Sequence, residues 1–151
     1  MTIKNVLKIP LLLVLILLLV SCSNTQKSLD VKDILIDKGM DIQITDNRTN
    51  IEWLANNEWE TQYFTISNNP GRLAVLHFKN EEHQKKSFLG LKKEHSEKIA
   101  QDFYAFYQAN DYLIVYYSDT IIDQEPGISF VDGKINAAVQ KYRAVFQKEK
   151  K

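Results

Sequence analysis

The feature that most limits what this chain can fold into is a run of twelve apolar residues, Ile9 to Val20 (IPLLLVLILLLV). It follows a start that carries Lys4 and Lys8 and no acid. A basic stretch and then a short apolar core is the layout of a secretory leader. A helix that crosses a bilayer needs about 20 apolar residues, and this run gives way at once to the polar string SCSNTQKS. The run is too short to span comfortably, so the folded domain has to come from the residues beyond it.

The run ends in Leu19-Val20-Ser21-Cys22. This tetrapeptide resembles the lipobox of bacterial lipoproteins: Leu, then a small or β-branched residue, then a small one, then Cys. The resemblance covers the first 22 residues only. It implies residues 1–21 as a signal peptide, diacylglycerol transfer to the Cys22 thiol, cleavage before Cys22 and a lipidated new N-terminus. The residue types suit the chemistry, because a thiol is a strong nucleophile and Ser21 is small enough for a narrow peptidase site. Two other readings use the same residues: an unmodified Cys22 in a secreted protein, or an uncleaved anchor. Cys22 is the sole cysteine, so no internal disulfide can form, and lipidation gives an unpaired thiol a purpose.

Two or more acyl chains hold a membrane without further help. Residues 22–28 then form the lipidated cysteine and a polar tether, and 29–151 a single domain on the outer side of the cytoplasmic membrane. With Ser23 rather than Asp after the cysteine, the resemblance to other lipoproteins implies outer-membrane sorting in a cell with two membranes. Without Lys4 and Lys8 the 19 basic residues fall to 17 against 19 acidic ones, a charge near −2. Such a balance excludes the electrostatic footprint of a nucleic-acid binder. An aromatic content of 11% excludes a disordered chain.

Along the domain, Leu29 to Ile36 alternates ambiguously between helix and strand, while Ile42 and Ile44 read as a strand beyond Gly39. Gln62 to Ser67 and Arg72 to Lys79 flank Asn68-Asn69-Pro70-Gly71 and predict an antiparallel hairpin. Phe88, Leu91, His95, Ile99, Phe103 and Phe106 recur at helical spacing and predict a helix from about Lys86 to Ala109, with His95 buried on its apolar face. Tyr112 to Ser118 and Ile128 to Val131 read as strands. Asp132 is placed to cap a last helix whose stripe is Ile135, Ala138, Val139, Tyr142 and Phe146. The order does not alternate as a parallel α/β fold does. It predicts an α+β domain, a mainly antiparallel sheet with two helices packed on one face.

Signatures of chemistry are sparse. The histidines His77, His83 and His95 show no zinc-ligand spacing, even with Glu81 or Glu82 beside His83, and the mature domain has no other cysteine to help. No metal, cofactor or catalytic residue is therefore assigned. Carboxylates cluster at Asp119, Asp123 and Glu125 and at Glu52, Glu58 and Glu60, as solvated loops do. Trp53 and Trp59 are the candidate partner contacts, since tryptophan stacks on sugars and anchors protein partners. The region from Leu29 to Glu60 is acidic and the last helix basic, with its lysines opposing the helix dipole in solvent. The expected function is a lipid-anchored binding or accessory domain for an envelope protein or glycan. The alternative is a small envelope hydrolase with a carboxylate and histidine site. A pocket holding His77 or His83 beside a carboxylate favours the enzyme, and an exposed aromatic patch without one favours the binder.

Overall fold

The computed structural model describes residues 30–101, 103–118 and 126–149. The expected signal peptide (1–21), the expected lipidated Cys22 with its tether (22–28), and the acids Asp119, Asp123 and Glu125 lie outside them. The elements are α1 (Val31–Asp37), β1 (Ile42–Ile44), a 3₁₀ turn (Glu52–Leu54), β2 (Glu60–Ile66), β3 (Asn69–His77), α2 (Glu81–Glu94), α3 (Ser96–Gln101), β4 (Phe103–Ala109), β5 (Tyr112–Ser118) and α4 (Pro126–Glu149). The strands form one antiparallel sheet in the order β1-β2-β3-β5-β4, so the domain is α+β.

The expected hairpin is β2–β3, with a tighter turn than the Asn/Pro/Gly string suggests. Ser67 and Asn68 make the turn, with Asn68 at φ 59°, and Pro70 and Gly71 fall in a bulge between the Thr65–Arg72 and Ile66–Asn69 pairs. A bulge tolerates the missing N–H of Pro70. Gly71 lies directly against the ring of Tyr116.

Both sheet faces are covered. On one face Phe64, Ile66, Leu73, Val75, Ile114 and Tyr116 pack under Val31, Ile34 and Leu35 of α1 and Ile135, Ala138, Val139 and Tyr142 of α4. On the other, Tyr63, Ala74, Leu76, Leu113, Val115 and Tyr117 meet Ile51, Leu54, Phe88 and Leu91. Alternate residues of β3 and β5 thus feed two cores, as the period of two requires. Two helices do share one face, but they are α1 and α4; α2 covers the opposite face. Each large side chain fully removed from water contributes roughly 1.5–3 kcal/mol.

Two sequence expectations are corrected. The helix predicted over 86–109 ends at Glu94 and, after the short α3, gives way to β4, so Phe106 lies in a strand packed on Phe88 rather than beside it on one helix. The side chain of Phe103 lies outside the described residues. Ile128 to Val131 is the opening of α4, not a strand, because Pro126 starts that helix at a position where a missing N–H costs nothing. Asp132 therefore caps nothing; it accepts from the Tyr107 hydroxyl at 2.7 Å and the Asn136 amide at 3.0 Å.

The ambiguous first segment is helical, capped by Asp30 and closed by Gly39 at φ 78°, with Gly39 N–H bound to Ile36 O and Met40 N–H to Leu35 O. Basic residues of α4 reach across to it: Lys141 pairs with Asp37 at 2.7 Å and Lys134 donates to Gly39 O. Lys141 holds the Asp37 carboxyl below its usual range. Among the described residues no helix is long and apolar enough to cross a membrane.

Candidate functional site

The antiparallel register places Glu60 opposite His77 and His77 opposite Tyr112, so three strands deliver one row of polar side chains to one end of the sheet. The row lies on the face covered by α1, where Asp30 caps the helix with its carboxylate on Lys32 N–H at 3.0 Å. Between them is a cleft of about 210 Å³ lined by Asp30, Glu60, Gln62, Val75, His77 and Tyr112.

His77 is fixed from several sides. Its ring stacks on Tyr112 with centroids 4.4 Å apart and planes 14° from parallel. Its Nε2 is 3.4 Å from Asp111 Oδ2 and its Nδ1 is 3.8 Å from Glu60 Oε2. Asp111 is held in turn by the Tyr142 hydroxyl, which donates to it at 2.8 Å, and its own carbonyl accepts from Phe78 N–H at 2.8 Å. The His77 side chain is 42% exposed whereas Asp111 is 18% exposed, so the carboxylate backs the ring and the ring faces water. Burial, and then the negative charge of Asp111, Asp30 and Glu60, pushes the Tyr112 phenol up to about 12. That hydroxyl stays neutral and is a poor nucleophile at ordinary pH.

A second cleft, about 320 Å³, adjoins the first through Glu60 and His77 and is floored by Trp59 and Phe78. His83 points its edge at Phe78, with centroids 5.7 Å apart, and has Nε2 3.8 Å from Glu58. His77 and His83 thus each stand beside a carboxylate. His95, expected to be buried, is only half-buried: it sits just past the end of α2 and packs on Trp53 at 4.6 Å. Among the described residues no group of three or more His, Cys, Asp or Glu is placed to hold a metal ion.

Trp53 and Trp59 are half-buried, and both indole N–H groups are bound to backbone: Trp53 to Asn50 O and Trp59 to Leu54 O, each at 2.9 Å. Tyr104 also donates to Asn50 O at 2.8 Å, and the Asn50 amide donates to the Tyr117 hydroxyl at 2.6 Å. These bonds fasten the segment around the 3₁₀ turn over the second core. Of the acids around the tryptophans, Glu60 joins the His77 row, Glu58 meets His83, and Glu52 lies 3.8 Å from Lys98.

Sequence reasoning missed Asp111, which falls just past the helix end expected near Ala109, and the part Tyr112 plays as the ring under His77. Both follow from the β3–β5 register, and nothing local marks them. No protein-family model matches the chain, and neither a curated protein nor a solved structure matches it significantly.

Proposed function

We propose that this chain is an extracytoplasmic lipoprotein, tethered to the membrane by lipid on Cys22, whose α+β domain binds another envelope component, protein or glycan, at the cleft beside His77. The tether rests on the basic start, the short apolar run and the Leu19-Val20-Ser21-Cys22 sequence. The binding reading rests on one observation: both ring nitrogens of His77 face carboxylates while the ring lies flat on Tyr112. Neither carboxylate sits at the distance of a well-formed hydrogen bond, so the ring is held chiefly by its stack on Tyr112 and stands as one wall of an acidic surface. The half-exposed ring and the acids Asp30 and Glu60 offer a firm surface rich in acceptors, suited to hydroxyl, amide or cationic donors. Trp59 extends that surface through the adjoining cleft, whereas Trp53 packs on His95 and Tyr104 away from it.

The hydrolase is the second reading, and the arrangement expected to favour it is present: His77 stands in a cleft beside Asp111 and Glu60, and an aspartate orienting a histidine is how a general base is built. Crosslinking in intact envelopes from a photoreactive residue in place of Gln62 separates the two. The binder requires a captured component that is lost on His77→Ala; the hydrolase requires a released product that is lost on the same change. Capture that ignores His77→Ala defeats the cleft as the contact. For the tether, Cys22→Ala is expected to block processing and move the protein out of the membrane fraction. Unchanged processing and partition defeat that half.

A further inference from the structure

The β4–β5 turn, Asn110-Asp111, sends Asp111 toward His77; on its other side lies a larger cleft of about 470 Å³, between the start of α2, the end of β4 and the last turns of α4. Two side chains that line it are anomalous. Gln84 is 1% exposed and its Nε2 has no acceptor, and the Nδ2 of Asn110 is likewise buried without one. Buried amide donors are almost always satisfied, so two orphans on one cleft ask for an oxygen acceptor that comes from outside. The charges point the same way. Lys85 and Glu81 pair at 2.8 Å and cancel, which leaves Arg143, anchored by Nη2 on Gln108 O at 2.7 Å. That bond uses one of five guanidinium donors and fixes the group at the cleft wall. Phe146 adds an apolar wall.

We infer that this cleft binds a carboxylate, with Arg143 supplying the charge, the Gln84 and Asn110 amides donating to the oxygens, and Phe146 packing on the group that carries it. Glycan hydroxyls fit less well, because they can accept from the same donors but bring no charge to match Arg143, whereas the one carboxylate of the wall, Glu81, is already paired with Lys85. A planar carboxylate matches the arginine fork. The inference rests on the reading of the domain as a binding module and adds a ligand class to it.

The test monitors the side-chain NH₂ resonances of Gln84 and Asn110 in the ¹⁵N-labelled full chain in detergent micelles. The probes are N-acetyl-alanyl-alanine, its C-terminal amide, acetate and inorganic phosphate. Both carboxylates are expected to move both resonances, and the dipeptide acid to bind at least tenfold more tightly than its amide. Asn110→Gly, which keeps the backbone of the turn, and Gln84→Met are each expected to weaken binding at least tenfold. A dipeptide at least tenfold tighter than acetate assigns the carboxylate to a peptide C-terminus; equal affinities assign it to a small organic acid. Resonances that stay still, or an amide or phosphate that binds as well as the acids, overturn the inference. If they stay still while His77→Ala still abolishes capture, only this inference falls. If the acids bind and capture ignores His77→Ala, the His77 contact falls and this one stands.

Discussion

Replacing Gly71 with alanine puts a single methyl group where the structure has no room for one. A Cβ built on Gly71 lies 2.3 Å from Tyr116 Cε2, 2.4 Å from its hydroxyl oxygen and 2.5 Å from its Cζ. Carbon atoms in contact sit about 3.5–4.0 Å apart, so either the ring or the bulge must move by about 1 Å. The ring is poorly able to do so. Tyr116 is 1% exposed, belongs to the first core and donates its hydroxyl to Asn69 Oδ1 at 3.0 Å. The same Asn69 oxygen accepts from Gly71 N–H at 2.7 Å, so a shift of either side disturbs one small network. Overpacking of this kind costs about 1–3 kcal/mol, and losing the tyrosine hydrogen bond adds about 1. Gly71→Ala should therefore destabilise by about 3 kcal/mol. At roughly 3 °C per kcal/mol for a domain of this size, the midpoint of thermal unfolding, measured by near-ultraviolet circular dichroism, drops by about 10 °C. Tyr116→Leu stops short of the clash, and the double variant should cost about 2 kcal/mol less than the two single changes together. A Gly71→Ala protein within about 0.5 kcal/mol of wild type, or a double variant that is simply additive, refutes the argument.

Two further perturbations probe the helices and the buried phenols. Gly90 and Gly133 sit inside α2 and α4 with nothing within 4 Å of an added Cβ, so alanine at either position should stabilise the fold by about 0.5–1 kcal/mol, seen as a higher unfolding midpoint. Burial first of all raises the phenols of Tyr63, Tyr107, Tyr112 and Tyr116. In the unfolded chain they lose their protons near pH 10, whereas the folded state keeps them, so stability is intact below about pH 10 and falls as pH rises from there. Phenolate absorbance from these residues should then appear together with the loss of near-ultraviolet dichroism; ionisation near pH 10 in a protein that remains folded contradicts it.

The parts of the fold that were legible are those in which local pattern and final burial agree. The β2–β3 hairpin has a turn signal between two β-rich runs, and the stripe Ile135, Ala138, Val139 and Tyr142 is buried as its spacing demands. The misread stretch is β4. Phe103 and Phe106 continue the spacing of Phe88 and Leu91, and a strand with helices over both faces shows no polar alternation to betray it: Tyr104 and Phe106 pack on one core, Ala105, Tyr107 and Ala109 on the other. The same ambiguity disguised Ile128 to Val131, whose β-branched residues were drawn into a helix by Pro126 ahead of them.

The candidate sites were less legible than the fold because they are products of register. Glu60, His77 and Tyr112 come from three strands that meet only when β3 pairs with both β2 and β5. With 103–109 read as helix, Asn110-Asp111 is merely a helix end. As a strand, β4 makes those two residues a hairpin turn, and Asn110 at φ 54° takes the left-handed conformation such a turn demands. The turn then projects in two directions at once: the Asp111 carboxylate backs His77, and the Asn110 amide lines the cleft of Arg143 and Gln84. One hairpin therefore positions both clefts, although they differ in chemistry, the first rich in acceptors and the second in donors. A ligand carrying hydroxyl or amine donors at one end and a carboxylate at the other would engage both sides of the turn together. Deleting the Asn110 amide while keeping the turn should then weaken only the carboxylate end, and His77→Ala only the other.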